Sequence, residues 1–146
     1  MTHEQEVLTL LEDGARRMMA ALSWTPERAP DWDSFRALFH KDAKLVPAAR
    51  PAAPITVETF IDRMQTQRDN GSLVDFQEDH IALAGHVFGN VATVFQTYRT
   101  IINKGEPGYG ISAMVWIFDE NAWRCISMAW DAQTAEKQIP AHYMGA

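Results

Sequence analysis

Cysteine occurs once in this chain, at Cys125. No disulfide can form within it, and no zinc site can be built on cysteine ligands. Clustered cations are missing too. The 13 Lys and Arg are scattered, no run of them exceeds the pair Arg16-Arg17, and the formal net charge is −6. That distribution argues against nucleic acid and against anionic membrane surfaces as partners, since both are held by grouped positive charge. No apolar run approaches the roughly 20 residues of a membrane span. The opening MTHEQEVLTL lacks the basic start and long apolar core of a secretory signal. Together these absences lead to the expectation of a soluble, cytoplasmic protein. The histidines (His3, His40, His80, His86 and His142) fall at no ligand-pair spacing, so neither a metal nor a cofactor is expected. There is no Gly-x-Ser-x-Gly elbow for a serine nucleophile. The glycine-rich GEPGYG runs into strand-forming residues, not into a helix whose N-terminus could hold phosphate.

What is present fits one domain over residues 1–146. Its 47% apolar content is ordinary for a globular fold, and a chain of this length needs no covalent staples. Val7, Leu8, Leu11, Ala15, Met18, Met19 and Leu22 recur at helical spacing, and Thr2 with Gln5 can form a capping box. Asp31 stands as an N-cap before a short helix, WDSFRALFH, and AKLVPA reads as a short strand ended by PAARPAAP. Thr56 caps a third helix, with Ile55 and Phe60 at the positions of a hydrophobic staple and Asn70-Gly71 at its end.

From Phe76 onward β-branched and aromatic residues dominate. Strands are expected from Phe76 to Ala84, stopping at Gly85; from Phe88 or Asn90 to Ile102; from Tyr109 to Phe118; and from Trp123 to Asp131. The connections NKGEPG and DEN are too short for parallel crossovers, so the strands form an antiparallel meander. Helices first and strands after give an α+β fold, with helices on one face of a curved sheet.

This order of elements resembles the nuclear transport factor 2-like (SnoaL-like) superfamily. ALFHKDA resembles the phrase that ends the second helix and enters the first strand, and WRCISMAWD resembles the closing strand. GNVATVFQTYRT, GISAMVWIFDENAWRCISMAWD and IPAHYM together resemble one group of small bacterial proteins, mostly of unknown function. The resemblance implies a cone: three N-terminal helices on a curved, mostly antiparallel sheet, a pocket at the open end, and a homodimer formed through the convex sheet face. It does not fix an activity, because the superfamily hosts isomerases, dehydratases, epoxide hydrolases and binding modules.

Strand parity then assigns faces, since alternate side chains point opposite ways. Ile126, Met128 and Trp130 are expected on the concave side, with Trp123, Cys125, Ser127 and Ala129 on the convex side. Ser112, Met114, Trp116 and Phe118 share a face, and Ile111, Ala113, Val115 and Ile117 share the other. A strand apolar on both faces is covered twice, and the second cover is most simply another subunit. A bulge would flip these parities locally. Gln96 and Tyr98 share a parity and belong either to the pocket or to the dimer face.

The chemistry of known superfamily members can be tested residue by residue. Ketosteroid isomerase needs a carboxylate base, a tyrosine and a protonated aspartic acid. Those roles fall near Pro47, Met18 and Met114, none of which transfers a proton. The aspartate–arginine–aspartate set of an epoxide hydrolase has no match, and Arg99 reads as half of a salt bridge at the sheet rim. A dehydratase of the scytalone type is matched at one point, His80, which Glu78 on the same face could orient; the family's second histidine has no counterpart. His80 is therefore the candidate acid or base. Met18, Phe60, Met64, Glu78, Tyr98, Met114, Trp116, Met128 and Trp130 are the expected ligand-pocket residues. The resulting expectation is a homodimer with an apolar pocket for a small hydrophobic molecule, acting as a lyase or isomerase; a non-catalytic binding or association module is the alternative.

Overall fold

Thr2 starts the first helix by a reciprocal exchange. Its hydroxyl accepts the Gln5 N–H at 3.2 Å, and the Gln5 side chain accepts the Thr2 N–H at 2.8 Å. In the computed structural model, which describes residues 1–145, this cap opens α1 (His3–Leu22). The buried side of α1 carries Val7, Leu11, Ala15, Met18, Met19 and Leu22, as the spacing predicts. Asp31 caps α2 (Trp32–Ala37) by accepting the Ser34 N–H at 3.1 Å. The strand β1 (Phe39–Val46) begins earlier than AKLVPA suggests. Its entry is fixed from across the sheet: the Leu38 carbonyl accepts the Cys125 N–H at 2.9 Å, so the chain joins the sheet on leaving α2. After the short β2 (Ile55–Thr56), the Thr56 hydroxyl caps α3 (Val57–Asp69), with Ile55 and Phe60 both buried. Gly71, at φ 81°, follows the Asn70 cap.

The meander is β3 (Phe76–Phe88), β4 (Val91–Ile102), β5 (Gly108–Asp119) and β6 (Ala122–Ala132). The sheet order is β2-β1-β6-β5-β4-β3, with β1 parallel to β6 and every other pair antiparallel. Glu120 and Asn121 turn β5 into β6 with positive φ at both, the backbone of a tight hairpin. Gly85, expected from sequence to stop β3, does not do so. The strand runs through it to Phe88, because at Gly85 β3 lies directly on the backbone of Thr93 and Val94 and only a residue without Cβ fits.

All three helices support one core. Met18, Met114 and Trp116 are at its centre, each 1% exposed or less. Gly14 lets α1 settle onto β5: a Cβ there would stand 3.2 Å from the Trp116 ring. Polar groups of α1 and the residues after it also close the outer edge of β3. Ser23 Oγ accepts the Glu78 N–H at 2.9 Å, a Glu4 carboxylate oxygen accepts the Val87 N–H at 3.1 Å, and Trp24 and Phe76 exchange backbone bonds of 2.8 and 3.0 Å.

Two bulges correct the strand parities. At Ile81 the register steps from His80 opposite Tyr98 to Ala82 opposite Thr97. Phe76, Glu78 and His80 therefore face the helices before the bulge, and Leu83, Gly85 and Val87 after it. At Ile126 the register steps from Ser127 opposite Val115 to Cys125 opposite Trp116. Cys125, expected on the convex face, is instead fully buried beside Trp116, and burial pushes its thiol up to about 12. Ile126 is the extra residue, and Trp123 packs on Phe118 with ring centroids 5.6 Å apart. Gln96 and Tyr98 both face the helices.

The convex face carries a cover that sequence alone assigned to another subunit. The chain's own C-terminal turn (Ala141–Met144) crosses it: Thr97 Oγ1 donates to the Tyr143 carbonyl, and the Tyr143 ring lies 5.5 Å from Phe95. Phe95 and Val115 still show 41% and 37% of their surface on that face. Among the described residues no helix is long and apolar enough to cross a membrane.

Candidate functional site

Between the C-terminal half of α1, α3 and the concave sheet lies a cavity of about 260 Å³. Met19 and Leu22 come from α1, and Phe60, Met64 and Gln67 from α3. Leu73, Phe76, Glu78, Tyr98, Ser112, Met128 and Trp130 complete the wall. The Phe60 and Trp130 rings meet edge to face at 5.7 Å, joining helix and sheet. Of the residues expected from sequence, Phe60, Met64, Glu78, Tyr98, Met128 and Trp130 are on this wall. Met18, Met114 and Trp116 are not; Met18 lies on the buried side of α1, which packs over the other two, and all three belong to the core.

Glu78 is the polar centre of the wall. Its backbone is pinned to the end of α1 by Ser23, and its carboxylate oxygen accepts the Thr100 hydroxyl at 2.7 Å. Burial pushes its carboxyl up to about 8; the Thr100 hydrogen bond opposes the rise and the neighbouring Asp79 charge adds to it. Glu78 is thus mostly a neutral acid at neutral pH, able to donate as well as accept. Tyr98, one strand over on the same face, has its phenol raised by burial, then by the Glu78 and Asp131 charges, so it stays a hydrogen-bond donor. Gly110 sits opposite Tyr98, and a side chain there would overlap the phenol oxygen and ring, so glycine lets the tyrosine lie across β5. Ser112 adds a hydroxyl to the same wall.

His80 is placed elsewhere. Its side chain is 2% exposed, behind the cavity wall and beneath α1, and it is not part of the lining. Nε2 lies 2.9 Å from a Glu12 carboxylate oxygen, and Nδ1 lies 3.2 Å from the Gln96 amide nitrogen. The carboxylate accepts from Nε2–H and the amide donates to Nδ1, which holds one tautomer. The partner that orients His80 is Glu12, not Glu78, whose carboxylate is taken by Thr100. The Gln96 carbonyl oxygen is buried with no partner. Arg99 is bonded to Asp79 at 2.7 Å across the strand pair, on the far face. Among the described residues, no group of three His, Cys, Asp or Glu is placed to hold a metal ion.

Sequence reasoning passed over Met19, Leu22, Gln67, Leu73, Phe76 and Ser112 as lining. Met19 and Leu22 are on the apolar stripe of α1, and Ser112 shares a face with Met114, so parity carried a signal for them. Nothing local marks Glu12 as the partner of a residue 68 positions away.

Compared with known proteins, the chain matches no family model and no curated protein sequence. Its fold is that of the NTF2-like proteins. An NTF2-like protein of unknown function from Pseudomonas putida KT2440 superposes with a TM-score of 0.68 at 14% identity, over 93% of this chain and 94% of that one. A candidate dehydratase of the NTF2-like family from Streptomyces avermitilis gives 0.69 at 11% identity, over 90% and 99%. A hexachlorocyclohexane dehydrochlorinase from Novosphingobium barchaimii gives 0.69 at 9% identity, over 89% and 88%.

Proposed function

We propose that this NTF2-like chain binds a hydrophobic small molecule in its cone and acts on it as a lyase or isomerase, by proton transfer at Glu78. The observation that carries the reading is the Glu78 carboxyl itself: half-buried in an apolar wall, raised to about 8, with the Tyr98 phenol on the same wall. The acid–base role expected of His80 moves to Glu78, because only Glu78 reaches the cavity. The similar folds include a candidate dehydratase and a dehydrochlorinase, names that both denote eliminations, which favours the same class.

In the proposed step, ionised Glu78 takes a proton from a carbon next to a carbonyl. The C–H electron pair moves onto the carbonyl oxygen, which accepts a hydrogen bond from Tyr98. Glu78 then returns the proton at another carbon, completing an isomerisation, or the pair expels a group from the β-carbon, completing an elimination. About a tenth of Glu78 is ionised at neutral pH, and the fraction rises to half near pH 8. A generic test needs no natural substrate: exchange of the α-hydrogens of a bicyclic ketone in D₂O, followed by NMR. The protein should accelerate it increasingly up to about pH 8, and Glu78→Gln should reduce the rate by about 10²-fold or more. Equal rates for the variant and the parent would remove Glu78 from the chemistry. No acceleration by either, with ligand still bound, would favour a binding module.

The same proposal includes a homodimer through the convex face, where Phe95 and Val115 remain half-open beside the C-terminal turn. Sedimentation should give twice the chain mass at micromolar concentration; a monomer there refutes it. A cytoplasmic location belongs to the same reading, on the ground of a single, buried cysteine.

A further inference from the structure

Glu78 and Met19 have a second face. Besides the apolar cavity, both line an open crevice whose other walls include Arg16, Arg28, Ser23 and His80. The apolar cavity and the crevice therefore meet at one partition, made of a carboxyl and a methionine. The crevice lining carries two arginines, Arg16 and Arg28, and two carboxyls, Glu78 and Asp79. The protein carries a formal net charge of −6, yet neither Arg16 nor Arg28 is paired with any carboxylate among the described residues. The two acids of the lining, and Glu12 beside them, are already engaged. Asp79 is bonded to Arg99 at 2.7 Å, Glu12 to His80 at 2.9 Å, and Glu78 to Thr100 at 2.7 Å. A third cation reaches the same loop from α3: Arg68 donates to the Thr25 carbonyl at 3.3 Å, and its Nε is buried with no acceptor. Thr25 and Arg28 are themselves bridged, so the loop presenting Arg28 is held in place.

From this juxtaposition we infer that the ligand is an amphipathic anion: an apolar body in the cavity and a carboxylate head in the crevice between Arg16 and Arg28, with the chain passing Glu78. The inference rests on the proposed ligand-binding role of the cavity and adds the head group to it. Two arginines suit a carboxylate because each guanidinium offers paired N–H donors to its two oxygens. The methionine at the partition is the side chain most able to move aside for a chain passing through. Ser23 is fully used, accepting from the Glu78 N–H and donating to the Met19 carbonyl, so it shapes the crevice without competing for the head.

The test is displacement of the neutral fluorophore N-phenylnaphthylamine from the full chain at low ionic strength by decanoate, decanol and decylamine. Decanoate should compete about tenfold better than decanol, as expected for two partly solvated ion pairs, and decylamine should compete worst. The Arg16→Ala, Arg28→Ala double variant should lose the decanoate advantage while binding decanol as before, and raised salt should have the same effect on the parent protein. Both arginines are exposed, so their removal spares the core. Equal competition by decanoate and decanol in the parent protein overturns the head-group site and leaves the cavity reading standing, as does an advantage that survives in the variant. Failure of the fluorophore and of all three competitors to bind overturns both.

Discussion

Between about pH 4.5 and pH 8 the protein will lose folding stability as pH rises, and Glu78→Gln will not share that loss. The unfolded chain releases the Glu78 proton near 4.5, while the folded chain keeps it until about 8. Between those values the folded state holds the extra proton, so each rise in pH favours unfolding. The stabilisation is complete below the unfolded value and is gone once pH passes the folded one. Its slope is about 1.4 kcal/mol per pH unit, which sums to something on the order of 4 kcal/mol across the window. Other groups titrate there as well, but they cancel in the difference between the parent and the variant. Urea denaturation of both proteins across this range reads the result directly through the midpoint. The curves should converge at the acid end and separate steadily towards pH 8, with the variant the more stable. Parallel curves would mean that Glu78 ionises normally and is not in a dry wall.

The second large effect is Gly85→Ala. A methyl group there would overlap the Thr93 carbonyl oxygen and stand 2.7 Å from the Val94 Cα. Both are backbone atoms of the paired strand, so they cannot rotate away as the end of a side chain can. The β3–β4 pairing must open locally, and the cost should reach about 4 kcal/mol, in the range reserved for disrupted cores. Gly89→Ala provides the comparison. That residue has φ 53° and open space around it, so only the left-handed backbone penalty applies, about 1–2 kcal/mol. Thermal or urea unfolding should rank the two far apart. A Gly85→Ala protein as stable as Gly89→Ala would show that β3 does not press on β4 as described.

These two residues also mark how far the sequence could be read. The helices were legible because their signals are local: the Thr2–Gln5 cap, the Ile55–Phe60 staple and Asn70-Gly71 each lie within a few positions of the helix they bound. The order of elements then carried the cone, with β1 beginning well before its expected start and β5 and β6 one residue before theirs. Gly85 reads as a stop because a glycine in a strand announces a turn and a close approach in the same letter; only the strand across from it tells them apart. The bulges at Ile81 and Ile126 are set by register between strands, and one inserted residue moved Cys125 from the expected outer face into the core. For the site, alternation placed Glu78, Met128 and Trp130 on the cavity side but left Tyr98 open between pocket and dimer face, and it could not distinguish residues under α1 from residues beyond its cover. Met114, Trp116 and His80 fell on that difference, and Met18 lies on the face of α1 that covers them.

The seal along β3 has a consequence of its own. An edge strand with free N–H groups is a template on which another chain can add a strand, and long exposed edges lead to fibres. Here Ser23 and Glu4, near opposite ends of α1, occupy the Glu78 and Val87 N–H groups, and Trp24 occupies Phe76. The helix that roofs the cavity thus also occupies both ends of the β3 edge as a template. A chain that loses the start of α1 through trimming would expose the Val87 end of that template first.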